Sequence, residues 1–161
     1  MPTAVAFVGV GANLGDAVRT VRQALAELNG LTVTQLHRHS SLYRSAPIDS
    51  SGPAYVNAVA ELTTLLEPQA LLDALQVIEL RHGRARPYRN APRTLDLDLL
   101  LYGELRLQTP QLTLPHPRLH RRAFVLEPLL ELEPNLRAPG LGALNDYLAA
   151  VGDQPVARIL P

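Results

Sequence analysis

The period of the apolar positions changes along the chain, and the changes outline its elements. Residues 5–10, Val-Ala-Phe-Val-Gly-Val, form a short apolar run that reads as a buried first strand, broken by Gly11-Ala12-Asn13. Leu14, Val18, Val21, Leu25 and Leu28 then recur at helical spacing, and Asn29-Gly30 ends that helix. Residues 33–44 alternate and read as one strand near a sheet edge. Residues 45–53 hold Pro47, Asp49, Gly52 and Pro53 and read as a loop. Residues 55–64 alternate again, with Val56, Ala58, Ala60 and Leu62 on one face and Tyr55 and Asn57 on the other. Pro68 suits the first turn of a second helix striped by Leu71, Leu72, Leu75 and Ile78, and Gly83 stops it. Residues 94–102 give a further strand, followed by a short helical piece at 122–131 and a last helix at 141–151. The order β-α-β-β-α-β places the chain in the α+β class. It predicts a ferredoxin-like antiparallel sheet with extra helices, in one domain over residues 1–161.

Composition narrows the functional classes. With 161 residues, 47% apolar and 19% charged, the chain is long and apolar enough to bury a real core. A net charge of zero supplies no global field for nucleic acid or an anionic membrane. No cysteine is present, so disulfides and thiolate metal sites are excluded, as a reducing compartment allows. The apolar start is too short for a secretory signal and no run reaches membrane-span length, so a soluble cytoplasmic protein is expected. Every basic residue is Arg, and the arginines concentrate between 81 and 122.

The chemistry gathers in GRARPYRNAPRTLDLDLLLYG, residues 83–103. Arg84, Arg86, Arg89 and Arg93 lie on a Pro-containing loop that runs into a strand carrying Asp96 and Asp98. Residues two apart in a strand share a face, roughly 7 Å apart by the strand rise. Two ionised carboxylates at that separation repel by about 2–3 kcal/mol at an effective dielectric near 20. A cation between them reverses that cost. Mg²⁺ takes carboxylate oxygens and shares its shell with water and phosphates, and arginines clamp phosphate in forked hydrogen bonds. Leucines at 95, 97, 99 and 101 equally describe a half-exposed strand whose aspartates face water. The arginine loop beside the pair favours a metal–polyphosphate site.

Other motifs carry less. Gly9-x-Gly11-x-x-x-Gly15 follows a strand and opens a helix, as a dinucleotide fingerprint does, but no acidic residue ends the next strand to hold a ribose. The glycines are read instead as permitting a tight turn, with Asn13 or Asp16 capping the helix. Gln76 and Glu79 are three apart on the second helix, which by spacing alone describes a solvated face. His116 lies in a second arginine cluster with Arg118, Arg121 and Arg122. Tyr55, Asn57 and Phe124 could form a slot for a flat heterocycle. Residues 83–92, rich in Gly, Pro and Arg, read as a closing lid.

Four segments in order carry a family resemblance: GANLGD at 11–16, YRSAPI through AYVNAVAEL at 43–62, APRTLDLDLLLYG at 91–103, and LPHPRLHRRAFVLEPL at 114–129. Together they resemble the 6-hydroxymethyl-7,8-dihydropterin pyrophosphokinases of folate biosynthesis over nearly all of the chain except the C-terminal end. The resemblance implies a ferredoxin-like, three-layer αβα monomer that transfers pyrophosphate from ATP to the pterin hydroxymethyl group and releases AMP. It implies two Mg²⁺ ions held by Asp96 and Asp98, with Arg84 and Arg93 acting in catalysis. Gln76, Glu79, Arg84, Arg86, Arg93, Leu99, Thr113, His116 and Arg122 fall at ATP positions. Ser45, Pro47, Ile48, Tyr55, Asn57, Asp96 and Phe124 fall at pterin positions, Ser45 and Ile48 through their backbone. The chain departs from the family pattern at Ser45-Ala46-Pro47, Asn90-Ala91 and Pro117, where Thr-Pro-Pro, Trp-Gly and Tyr are common. A ferredoxin-like RNA-binding module is a rival reading, but only 4% of residues are aromatic and the acidic pair would repel phosphates. A small NADP-binding oxidoreductase is the third.

Overall fold

The computed structural model describes residues 3–46, 54–83 and 94–159. Strand β1 (Ala4–Ala12) leads into helix α1 (Ala17–Asn29), followed by β2 (Thr34–His39), β3 (Tyr43–Ser45) and β4 (Tyr55–Thr64). Helix α2 (Pro68–Arg81), β5 (Asp96–Tyr102), β6 (Leu107–Gln108), β7 (Thr113–Leu114) and α3 (Ala123–Leu132) follow. The chain ends in β8 (Arg137–Ala138), β9 (Gly142–Ala143), two 3₁₀ turns and β10 (Val156–Arg158). The main sheet runs β10-β3-β4-β1-β5, with β2 also on β4, and every pairing is antiparallel. Taking β2 and β3 as one interrupted strand gives the ferredoxin-like order that the sequence predicts.

Strand alternation builds two cores. The even positions of β1 and β4, including Val8, Val10, Ala58 and Leu62, pack against Val21, Leu25 and Leu28 of α1 and Leu71, Leu75 and Ile78 of α2. On the opposite face Phe7, Val59, Leu100 and Leu101 pack against Leu126 and Leu129 of α3. The result is the expected three-layer αβα arrangement. Each fully buried leucine contributes about 1.5–3 kcal/mol through removal of its side chain from water. Pro68 occupies the start of α2, where its missing N–H has no helical partner to lose. Asp16 caps α1, accepting the Arg19 N–H at 3.1 Å, and Gly15 supplies the left-handed residue just before it (φ 60°). His82 Nε2 meets Glu27 Oε2 at 2.6 Å and ties the ends of the two helices together.

The structure corrects several expectations. The first strand does not break at Gly11; it continues to Ala12, because β4 and β5 pair with it on both sides along that length. The expected 33–44 strand is two strands. At the break Ser40 N–H bonds Val59 O at 2.9 Å, while Ser40 Oγ accepts the Val59 N–H, also at 2.9 Å. A hydroxyl thus stands in for a backbone acceptor, which lets the strand bend without orphaning a buried donor. Of these two, β2 lies at an edge, and β10 covers β3. The leucine period in β5 also fails. Phe7 pairs with Leu101 and Val8 with Leu99, so Leu100 is an extra residue and Leu101 turns to the second core. The last helix is not an α-helix: positive-φ Gly140 and Gly142 shape the β8–β9 turn, and 3₁₀ turns follow at Leu144–Tyr147 and Ala149–Val151.

Candidate active site

The register brings the predicted residues to one face. Gly11 pairs with Asn57 on one side and Asp96 on the other, and Gly9 pairs with Val59 and Asp98. Residues 9 and 11 share the strand face of Asn57, Asp96 and Asp98, so between amide and carboxylates the sheet has no side chains. The glycines therefore make the floor of a trough rather than a turn. This role is absent from the sequence reading, although glycine inside a strand is a known mark of close approach by a ligand or another backbone. The trough opens into a cavity of about 200 Å³. Ser45 and Ala46 bound it on one side, Arg122, Phe124 and Val125 on another, and Tyr55 also lines it. Its size is below the roughly 300 Å³ at which drug-sized pockets begin, so it suits a small ligand.

Asn57 is buried, and its Oδ1 accepts the Ser45 hydroxyl at 2.6 Å. That bond orients the amide and directs Nδ2 toward the Gly11 floor. Ser45 thus contributes its side chain, where the resemblance implies its backbone. Arg122 lies over the Phe124 ring, its guanidinium carbon 5.5 Å from the centroid. Burial lowers the Arg122 pKa; Asp98 opposes the shift, Arg118 reinforces it and Asp96 opposes it.

A second groove of about 250 Å³ lies across Asp98 from the cavity. Leu72, Leu99, Thr113, His116 and Pro117 line it, and Asp98 belongs to both spaces. Burial lowers the His116 pKa, with Asp98 opposing and Arg122 and Arg118 reinforcing. His116 Nδ1 accepts the Arg118 backbone N–H at 3.1 Å, so the neutral ring carries its proton on Nε2.

Gln76 and Glu79 do not share a solvated face. Gln76 is exposed, whereas Glu79 is buried and its Oε2 accepts the Leu97 N–H at 2.8 Å. Leu97 stands between the two aspartates, so Glu79 holds the outer edge of β5 at the acidic pair. Pro47, Ile48, Arg84, Arg86, Arg89 and Arg93, the departures at Asn90-Ala91, and the 84–92 part of the lid lie outside the described residues. Among the described residues no cluster of three or more His, Cys, Asp or Glu could hold a metal. A two-carboxylate site fits Mg²⁺, which completes its shell with water and phosphate oxygens, better than an ion needing an all-protein cage.

The fold and site define a class: an α+β domain with two cavities that meet at an acidic strand. Comparison with known proteins narrows it. The model of the 7,8-dihydro-6-hydroxymethylpterin-pyrophosphokinase family matches residues 7–134. The chain is 45% identical over 154 residues to the 2-amino-4-hydroxy-6-hydroxymethyldihydropteridine pyrophosphokinase of Pseudomonas aeruginosa, covering 95% of each chain. It is 40% identical over 143 residues to the Bacillus subtilis protein of that name, covering 88% of this chain and 86% of the other. A Plasmodium falciparum HPPK-DHPS crystal structure superposes with a TM-score of 0.73 at 15% identity, over 94% of this chain and 46% of the other. That likeness bears on the fold alone, since this chain spans less than half of that one. This chain belongs to the 7,8-dihydro-6-hydroxymethylpterin-pyrophosphokinase family.

Proposed function

We propose that this chain transfers the pyrophosphoryl group of ATP to the hydroxymethyl oxygen of 6-hydroxymethyl-7,8-dihydropterin, releasing AMP. One observation carries the reading in a chain of this family: Asp98 borders both the amide- and aromatic-lined cavity and the groove of Thr113 and His116. In the step, the hydroxyl oxygen bonds to the β-phosphorus, the bond from that phosphorus to the α-phosphate oxygen breaks, and AMP departs with its electron pair. The hydroxyl proton goes to solvent. No covalent enzyme intermediate is needed, so positioning and charge neutralisation dominate.

The cavity takes the pterin. Asn57 reads the ring's hydrogen-bonding edge, oriented by Ser45, and Tyr55 and Phe124 supply aromatic surface. The groove takes ATP: Leu99 and Thr113 line it, and His116 offers a neutral Nε2–H donor. Arg122 meets the phosphates as a fixed cation. Asp96 and Asp98 would hold two Mg²⁺ ions, which would neutralise the phosphates and polarise the attacking oxygen. Glu79 keeps the aspartates in register through Leu97. The chain is read as acting alone, as a monomer in the cytoplasm, on small molecules without nucleic acid.

The test is incubation with Mg²⁺, ATP and reduced hydroxymethylpterin. AMP and pterin pyrophosphate should form one to one. Asp96→Ala and Asp98→Ala should each lower turnover more than 100-fold while leaving a folded protein, since removing one of two like charges relieves repulsion. ADP in place of AMP, or AMP release independent of pterin, would refute the reading.

A further inference from the structure

Helix α3 begins with an unsuitable residue. Its N-cap is Arg122, which makes no side-chain capping bond. Ser, Thr, Asp and Asn dominate this position because their oxygens accept the orphan N–H groups of the first turn. Arginine has only donors, and its positive charge sits at the positive end of the helix dipole. The cap is supplied from Gln154, 31 residues beyond Ala123. Gln154 Oε1 accepts the Ala123 N–H at 2.8 Å, and Gln154 Nε2 donates to the Arg121 carbonyl at 3.0 Å.

These two bonds fall on the two peptide groups that flank the Arg122 Cα. The Arg121 carbonyl belongs to the peptide before it and the Ala123 N–H to the peptide after it. Together those planes set the direction of the Arg122 Cα–Cβ bond, and therefore where the guanidinium starts. Gln154 is itself held: its N–H bonds Val151 O at 3.0 Å, and β10 follows it at once, with Val156 paired to Ser45. This segment lies beyond residue 134, where the family match ends.

We propose that Gln154 is a positioning residue that aims Arg122 into the site, doing from the C-terminal segment what a capping side chain at position 122 would otherwise do. Arginine can then occupy the N-cap, with its charge over Phe124, at the wall of the cavity that Asp98 also lines. The proposal rests on the reading of Arg122 as a contact to the ATP phosphates.

The test is a double-mutant cycle with Arg122→Ala. Gln154→Met keeps the side-chain size and removes both bonds. It should lower kcat/KM for ATP about 10-fold and weaken binding of a non-hydrolysable Mg-ATP analogue to a similar degree. In the Arg122→Ala background the same change should cost less than twofold. Gln154→Glu, which keeps the acceptor for Ala123 and loses the donor to Arg121, should fall between and serves if Gln154→Met does not fold. Equal losses in both backgrounds would mean general loosening of α3 and would overturn the proposal, as would wild-type behaviour of Gln154→Met. A wild-type protein that releases no AMP would refute the proposed function, while the cycle in analogue affinity would still decide the role of Gln154.

Discussion

Gly11→Ala is the sharpest probe of the trough. A Cβ added at Gly11 would lie 3.1 Å from Asn57 Nδ2, inside the 3.4 Å at which ordinary contact begins. Gly11 is not among the positive-φ glycines, so its backbone accepts alanine, and reduced freedom of the unfolded chain would favour the substitution by about 0.4–1 kcal/mol. The penalty falls on Asn57, which cannot give way freely. It is buried, and its Oδ1 is held by Ser45 at 2.6 Å. Moving the amide by a few tenths of an ångström strains that bond and misplaces the donor meant for the ligand. Weakening one or two such bonds costs about 1–2 kcal/mol, which is roughly a 5- to 30-fold loss of pterin affinity. Titration calorimetry with the pterin, in the presence of Mg²⁺ and a non-hydrolysable ATP analogue, measures it. Affinity for the ATP analogue should stay within twofold of wild type. Undiminished pterin binding would refute the role given to Asn57; an equal loss for both ligands would refute the separation of cavity from groove.

Two further outcomes follow from titrating groups. Glu131 of α3 accepts the Ser41 N–H at 2.9 Å and the Tyr43 hydroxyl at 2.5 Å, and burial together with the Glu131 bond pushes the Tyr43 pKa up from 10.0 to about 12. Stability from this contact is therefore complete below pH 10 and lost as pH rises through about 12, so the melting-temperature gap between wild type and Tyr43→Phe should close over that window; a pH-independent gap contradicts it. His116, lowered by burial, should be neutral and protonated on Nε2 at pH 7, titrating only below 6.5; nitrogen-15 NMR showing an Nδ1–H ring or an imidazolium at pH 7 would contradict it.

Legibility in the sequence followed the range of the interaction that decides each feature. Strand β4 is readable because its ten residues alternate without interruption, and both of its faces are occupied as the alternation predicts. The shared face of Asp96 and Asp98 is readable for the same reason. Leu101 is not, because one inserted residue in β5 reverses the phase, and that insertion exists only relative to β1. Gly9 and Gly11 look like turn glycines until partners are known; β4 and β5 on either side keep them extended. Strand β10 is three residues long and carries no pattern of its own, existing because β3 offers an open edge. Glu79 looked solvated because its spacing with Gln76 says nothing about a backbone N–H from β5 that needs an acceptor.

The charges of the described site bear on how the proposed nucleotide site would be completed. Asp96 and Asp98 bring two negative charges, and Arg118 and Arg122 two positive ones that bear on Asp98 or His116. His116 adds none at neutral pH, because burial keeps its imidazole uncharged. These four charges cancel, whereas a triphosphate is strongly anionic. Arg122 cannot balance it alone, since part of its field is already spent on the aspartates. The remaining positive charge has to arrive with the nucleotide as Mg²⁺ or come from elsewhere in the chain. Arg84, Arg86, Arg89 and Arg93 stand in the sequence just before the acidic strand. On the proposed function, this balance accounts for the pairing of acidic strand and arginine-rich segment: the carboxylates would take a divalent cation, and the triphosphate would need more positive charge than that cation and Arg122 supply.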